Sequence, residues 1–244
     1  MTRWRLIALD MDGTLLGKDG TISKENKKWI QYARESGTEV TIATGRPTRM
    51  IRFYLESLNL QAPFVVANGS EVWTVGGTLL ERHTLSHKHV SFLYSLAIKY
   101  GTHFWSSVVD EVFKPGTFPK EIEKYEWLKF GFKNEDPELM AYLWNRLEEY
   151  GGLEISSSDP SNIEVNPKGI SKATGLQRVC DHLGISSEEV VAIGDGLNDV
   201  AMFRWAGLSI AMANAPTEVQ AVADRITAHH SEDGVAQAIQ TLIN

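Results

Sequence analysis

A single cysteine, Cys180, stands among 244 residues, which excludes an intramolecular disulfide as a source of stability. It shares a helical spacing with Leu176, Val179 and Leu183 and reads as a buried small hydrophobe. No run approaches the ~20 consecutive apolar residues that a membrane-spanning helix needs. The opening Met1-Thr2-Arg3-Trp4-Arg5 leads into an apolar segment without a signal-type core and cleavage site, so a cytoplasmic protein is expected. Excess positive charge is also missing. The 24 Lys and Arg stand against 31 Asp and Glu, a formal net charge of -7, whereas binders of nucleic acid or anionic membranes usually carry a basic footprint. The seven histidines show no metal-ligand spacing, and His229-His230 reads as a solvated loop pair. Neither an internal repeat nor a low-complexity tract is visible. What remains, 43% hydrophobic and 23% charged, is the composition of a globular protein with a sizeable core, long enough for one large domain or two modest ones.

The chain is punctuated by short apolar runs that end in small polar residues. Leu6-Ile7-Ala8-Leu9 stops abruptly at Asp10-Met11-Asp12-Gly13-Thr14, as a buried strand does on leaving its sheet. Asp and Gly are also ordinary turn residues, so this fragment alone fits an Asp-rich turn equally well. A helix is expected over 23–36, with Ser23 as N-cap, Trp29, Ile30 and Ala33 on one face and Gly37 as its stop. Residues 39–43 read as a second strand, ending in Thr44-Gly45-Arg46-Pro47, and Pro47 suits the first turn of a helix reaching residue 58. Residues 64–67 read as a third buried strand, followed by Asn68-Gly69-Ser70. Such a βαβαβ succession implies a parallel sheet with right-handed crossovers.

The rhythm then changes. Gly76-Gly77 separates two strand-like runs as a hairpin. Helices over 87–100 and 137–150 mix with strand-like runs at 103–109, 112–114, 128–132, 153–157 and 163–165, the pattern of an α+β insert with an antiparallel sheet. Beyond it the α/β alternation resumes: a helix over 171–183, a strand over 190–193 ending in Gly194-Asp195-Gly196-Leu197-Asn198-Asp199, a strand over 208–212 followed by Asn214, and a closing helix over 234–243. The expected division is a discontinuous core, 1–83 and 166–244, interrupted by a smaller domain at 84–165.

In a doubly wound sheet the carboxyl ends of the parallel strands lie along one edge, where ligands bind. Four polar clusters fall at such ends or just past the insert: Asp10 with Asp12, Thr44, Lys168 with Lys172, and Asp195 with Asn198 and Asp199. They contain carboxylates, a hydroxyl and an ammonium, but no Ser–His or Cys–His pair. Crowded carboxylates repel unless a cation compensates. Oxygen ligands suit Mg²⁺, and the remaining donors suit phosphate oxygens. Each residue has a plainer reading: Thr44 as a cap, the lysines as surface residues, 194–199 as a loop capping the next helix. The coincidence of all four favours a site, with Lys172 in it and Lys168 on the surface.

Asp10-Met11-Asp12-Gly13-Thr14-Leu15-Leu16 resembles the DxDGTL signature of the haloacid dehalogenase (HAD) superfamily. Thr44-Gly45-Arg46, Lys168-Gly169-Ile170-Ser171-Lys172 and Gly194-Asp195-Gly196-Leu197-Asn198-Asp199 resemble its second, third and fourth motifs, in order. The insert between the second and third resembles the C2 cap of the Cof-type, class IIB phosphatases. This resemblance covers essentially the whole chain. It implies an α/β fold, a Rossmann-like doubly wound parallel sheet as HAD core with an inserted α+β C2-type cap. It also implies Mg²⁺-dependent hydrolysis of small phosphomonoesters (a sugar phosphate, phosphoglycolate or a cofactor phosphate) through an aspartyl-phosphate. Asp10 would be the nucleophile, and Asp12 would protonate the leaving alcohol and then deprotonate water. Mg²⁺ would bind the Asp10 carboxylate, the Asp12 backbone carbonyl and Asp195, with Asp199 orienting metal waters or Lys172. Thr44, Gly45 and Lys172 would hold the phosphate, helped by Asn198. Arg46, Asn68 and Asn214 are candidate substrate contacts, although Asn68-Gly69 is equally a standard turn pair.

The resemblance further implies that the cap closes over the site and supplies specificity contacts. Its candidates are Trp105, Phe113, Lys114, Tyr125, Trp127 and Lys129, of which the apolar ones equally fit packing inside the cap. The expected partner is a small phosphorylated metabolite, with no nucleic acid and no membrane, for a monomer or homodimer. Phosphotransferases and phosphomutases share the first motif, but nothing here signals a second phosphate site. A non-catalytic binding protein on the same fold is the remaining alternative, and the presence of both Asp10 and Asp12 speaks against it.

Overall fold

The computed structural model describes residues 4–243. Its central strand is β1 (Leu6–Leu9), buried along its whole length, as expected of a parallel strand covered on both faces. The chain returns through α1 (Lys24–Glu35), whose N-cap Ser23 accepts from the Asn26 N–H at 3.0 Å, to β2 (Glu39–Ile42), parallel to β1. After α2 (Arg52–Ser57) come β3 (Phe64–Val66), β4 (Glu71–Trp73) and β5 (Leu79–Arg82), an antiparallel three-stranded sheet. The insert follows: α3 (His87–Tyr100), β6 (His103–Val108), β7 (Val112–Phe113), β8 (Trp127–Lys133), α4 (Pro137–Tyr150), β9 (Leu153–Ser156) and β10 (Asn162–Pro167). The last stretch holds α5 (Lys172–Leu183), β11 (Val190–Gly194), α6 (Val200–Trp205), β12 (Leu208–Ala211), α7 (Thr217–Gln220), β13 (Arg225–Ile226) and α8 (Gly234–Ile243). The main sheet runs β13-β12-β11-β1-β2, all parallel.

The period of two along β1 divides its side chains between two cores. Ile7 and Leu9 pack with Ile30 and Ala33 of α1 and with Val235 and Ile239 of α8. Leu6 and Ala8 pack with Leu176, Val179 and Cys180 of α5 and Met202 of α6. Helices therefore cover both faces, and the buried Cys180 is a packing residue as read from the sequence.

In the insert, the sheet β7-β6-β8-β10-β9 is antiparallel throughout. Phe104, Phe130, Phe132, Ile163 and Val165 turn one face toward α3 and α4. Their neighbours in sequence, among them His103, Trp105, Lys129, Lys133 and Glu164, line a cleft on the opposite side. Alternation thus gives the cap an apolar back and a polar front.

Four local expectations need correction. The helix expected from Pro47 to residue 58 is a 3₁₀ turn (Thr48–Met50) followed by the short α2, with the fully buried Ile51 (φ -117°, ψ -13°) at the junction where the hydrogen bonding changes. Residues 64–67 do not form a full parallel strand of the main sheet: a single bridge, Ala43↔Val65, joins β3 to it. Left-handed Ala67 and Asn68 (φ 48° and 56°) then turn the chain back into the hairpin. The edge strand β13 is too short and too exposed to leave a pattern. His229 and His230 lie in a loop entering a 3₁₀ turn, as read from the sequence, but both are half-buried rather than solvated, with rings 4.5 Å apart. His229 Nδ1 accepts from the Ser231 N–H, and His230 Nδ1 meets the Leu16 carbonyl.

Candidate active site

Apart from Lys168, the polar clusters singled out in the sequence gather at the C-terminal edge of the main sheet. Asp10 follows β1 directly, its N–H still bonded to the Ile193 carbonyl of β11 at 2.9 Å. Its side chain is 8% exposed. Facing it is Lys172, the first residue of α5, fully buried, with its ammonium 2.6 Å from Asp10 Oδ1 and 2.6 Å from Asp199 Oδ1. Asp199 is fixed in turn by its other oxygen, which accepts from the N–H groups of Asp195 and Gly196, both at 2.9 Å. Burial opposes the Lys172 charge, but the two carboxylates outweigh it and hold the ammonium protonated far above its ordinary range. Lys168 lies exposed on the preceding turn, away from this cluster.

Asp195 completes an acidic set. Its Oδ1 accepts from the Thr14 hydroxyl at 2.7 Å and its Oδ2 from Asn214 Nδ2 at 3.1 Å. Asn214 also donates to the Gly13 carbonyl at 2.8 Å, so it ties the first loop to the fourth motif. Gly13 adopts a left-handed φ of 79°, and a Cβ there would overlap the Asp195 carboxylate. Carboxylate oxygens of Asp10, Asp195 and Asp199 lie within 4.8 Å of one another. Burial first, then the charge of Asp199, pushes the Asp195 carboxyl up to about 7. Burial likewise raises Asp10, with Asp199 and Asp195 adding to it against Lys172. Three carboxylates around one ammonium leave uncompensated negative charge. A hard divalent cation with oxygen ligands fits that donor set.

Asp12 differs from Asp10. Its side chain is 59% exposed and is held by Arg46, whose Nε and Nη2 reach the two carboxylate oxygens at 2.8 and 2.5 Å. This fork-to-fork pairing keeps the guanidinium charged above its ordinary range. Thr44 is buried, and its hydroxyl accepts from the Arg46 N–H at 3.2 Å. Asn68, a candidate substrate contact in the sequence, is buried: its Nδ2 donates to Glu164 Oε2 at 2.7 Å, while its Oδ1 accepts from Asn198 Nδ2 at 3.4 Å.

A cleft of about 640 Å³ opens above these residues, with Asp10, Asp12, Thr44, Arg46, Asp195 and Asn198 on the core side. The cap side contributes Trp105, Lys114 and Lys129 among the sequence candidates. Phe113, Tyr125 and Trp127 instead pack within the cap. Lys129 reaches across to the Gly45 carbonyl at 2.9 Å and pairs with Glu164 at 2.8 Å, both side chains nearly excluded from water. Asn166 of β10 donates to the Ala67 carbonyl at 2.7 Å and to Ser70 Oγ at 3.0 Å. Glu164 and Asn166 were missed in the sequence. The available signal was the period of two in Ile163-Glu164-Val165-Asn166, which places two polar groups on the face away from the apolar one.

The profile of the haloacid dehalogenase-like hydrolases matches residues 7–239. The chain belongs to this family. This haloacid dehalogenase-like hydrolase is 46% identical, over 97% of its length and 94% of the relative's, to the 5-amino-6-(5-phospho-D-ribitylamino)uracil phosphatase YcsE of Bacillus subtilis. A second 5-amino-6-(5-phospho-D-ribitylamino)uracil phosphatase from that organism, YitU, is 31% identical over 98% of this chain and 97% of its own. Among solved structures, a haloacid dehalogenase-like hydrolase from B. subtilis superposes with a TM-score of 0.89 at 25% identity, covering 98% of this chain and 99% of that one. The enzyme is a Cof-type phosphomonoester hydrolase, and a divalent metal is general in its superfamily.

Proposed function

We propose that this hydrolase dephosphorylates 5-amino-6-(5-phospho-D-ribitylamino)uracil or a close analogue, with Mg²⁺, in the cytoplasm, as a monomer or homodimer. The observation that carries the chemistry is the buried Asp10 carboxylate at the cleft floor, one oxygen gripped by Lys172 at 2.6 Å. The identity to YcsE over nearly both full lengths supports the substrate.

In this reading an Asp10 oxygen attacks phosphorus and the bond from phosphorus to the leaving alkoxide breaks, while Asp12 gives that oxygen its proton. Water then attacks the aspartyl-phosphate and passes a proton to Asp12. The bond from phosphorus to Asp10 breaks and inorganic phosphate leaves. Arg46 orients Asp12 and yields a carboxylate oxygen when the proton moves. Thr44, the Gly45 backbone, Lys172 and Asn198 hold the non-reacting phosphoryl oxygens, and Asp199 positions Lys172. Asp10, Asp195 and the Asp12 backbone carbonyl would hold Mg²⁺, which when bound neutralises charge on nucleophile and phosphoryl group. Arg46, Asn68 and Asn214 act by arranging Asp12, Glu164 and Asp195 respectively, not by gripping the leaving group.

Phosphate release from the named ester by the purified protein with Mg²⁺ is the test. It is expected to vanish in Asp10→Asn and on chelation. Turnover retained by Asp10→Asn overturns the nucleophile; turnover of other phosphate esters with none of this one overturns the substrate.

A further inference from the structure

The polar front of the cap carries one large aromatic side chain. Trp105 of β6 pairs in register with Gly131 of β8, which pairs with Glu164 of β10. Gly131 leaves its place on the sheet empty, and a Cβ there would overlap the six-membered ring of the indole. The indole therefore lies down over the β8 backbone, which covers one of its faces. Gly131 is buried beneath it, while Trp105 stays half-buried and lines the same cleft as Asp10 and Asp12. An aromatic needed only for packing belongs on the opposite face, where Phe104, Phe130 and Phe132 fill the cap core.

A flat indole with one face fixed and one open is a stacking surface for a planar π system. The groups around it suit the edge of such a ring. Lys133, opposite His103 on the neighbouring strand, and Lys114, next after Phe113 of β7, are exposed ammonium donors on this front. Lys129 is already taken by Glu164 and the Gly45 carbonyl. Donors at the rim and an aromatic floor fit an oxo-substituted heterocycle better than a bare polyol.

We propose that Trp105, laid flat by Gly131, is the platform on which a heteroaromatic ring of the leaving group stacks, and so selects substrates that carry one. This rests on the phosphatase reading above and adds the element that reads the leaving group. The test compares kcat and KM for phosphate release from three esters: the ribitylaminouracil phosphate, pyridoxal 5′-phosphate and ribitol 5-phosphate, which lacks a ring. In Trp105→Leu the kcat/KM preference for the two ring-bearing esters over ribitol 5-phosphate is expected to fall on the order of tenfold, chiefly through KM. Trp105→Phe restores most of it, and Gly131→Ala, which pushes the ring off its seat, repeats the loss. Equal losses on all three esters, or none, overturn the platform whatever the natural substrate. A wild-type enzyme that prefers pyridoxal 5′-phosphate to the uracil ester, with the Trp105 dependence intact, overturns the proposed substrate and supports the platform.

Discussion

Replacing Lys129 with Met tests the join between cap and core. Methionine keeps most of the side-chain volume, so the change is mainly the loss of one buried charge. In the native protein that charge serves Glu164 at 2.8 Å and the Gly45 carbonyl at 2.9 Å. Without it, Glu164 keeps the hydrogen bond from the Asn68 side-chain amide. Removing one partner of a buried pair costs about 3–5 kcal/mol, because the other charge is left uncompensated. At about 2–4 °C per kcal/mol for a chain of this length, the melting temperature falls by about 10 °C. The pH dependence identifies the cause. Burial pushes the Glu164 carboxyl up, but Lys129, by its charge and hydrogen bond, together with the Asn68 hydrogen bond and the charge of Lys172, holds it below the usual range. That depression contributes stability above the carboxyl's unfolded pKa and loses it as pH falls through the lower folded value. In the variant only the Asn68 hydrogen bond and the charge of Lys172 still oppose burial, so the folded value rises and protonation relieves the unpaired charge as the solution is acidified. The difference between wild type and variant is therefore largest near about pH 7 and narrows toward about pH 4. Thermal melts by circular dichroism across that range measure it, and Lys129→Met with Glu164→Leu recovers most of the loss. A difference that does not change with pH, or one below about 1 kcal/mol, refutes the reasoning.

Three further outcomes follow from the site and the core. Lys172→Met removes the ammonium shared by Asp10 and Asp199, and kcat for phosphate release is expected to fall about 10²–10³-fold; a smaller loss in a folded variant excludes a direct phosphoryl contact. Because burial and Asp199 push Asp195 up to about 7, and a metal needs the ionised carboxylate, Mg²⁺ affinity by titration calorimetry should weaken as pH drops below that value; a flat profile excludes Asp195 as a ligand. Asn26 is 1% exposed, and its Oδ1 accepts from the Ala236 N–H at 2.9 Å, docking α8 on α1. Asn26→Ala should lower stability to urea by about 1–3 kcal/mol, and an unchanged midpoint removes that anchor.

How much of this was legible in the sequence depends on the range over which each feature is decided. The parallel sheet and the gathering of Asp10, Thr44, Lys172 and Asp195 follow from apolar runs ending in polar residues, since topology brings such ends to one edge. Three features depend on register or local turning that the pattern does not carry. The Lys129–Glu164 pair joins strands β8 and β10, and only their antiparallel register sets Glu164 beside Gly131 and within reach of Lys129. Arg46 is adjacent to the second motif, yet its hold on Asp12 needs two loop conformations at once. The helix expected after Pro47 divides at Ile51 into a 3₁₀ turn and a short α-helix, a change of hydrogen bonding within a locally acceptable helical run that the residue pattern does not mark. Among the cap aromatics, composition alone did not separate Trp105 on the front from Phe113 and Trp127 in the cap core; strand phase places Phe113, but Trp127 shares the phase of Lys129 and Gly131 and reaches the core only through the register shift beside Val108.

The pairing of β1 with β11 has a consequence for synthesis. Thr14 and Asp195, hydrogen-bonded across the first and last motifs, are 181 residues apart, and Asp10 and Lys172 are 162 apart. During translation the cap strands emerge between them and can close their short loops long before β1 gains its second neighbour. The nucleophile thus waits for its ammonium and its metal loop until most of the chain has left the ribosome. A stalled chain ending before β11 is expected to release no phosphate in a single-turnover assay, which keeps a half-made enzyme from acting on the phosphorylated metabolites around it.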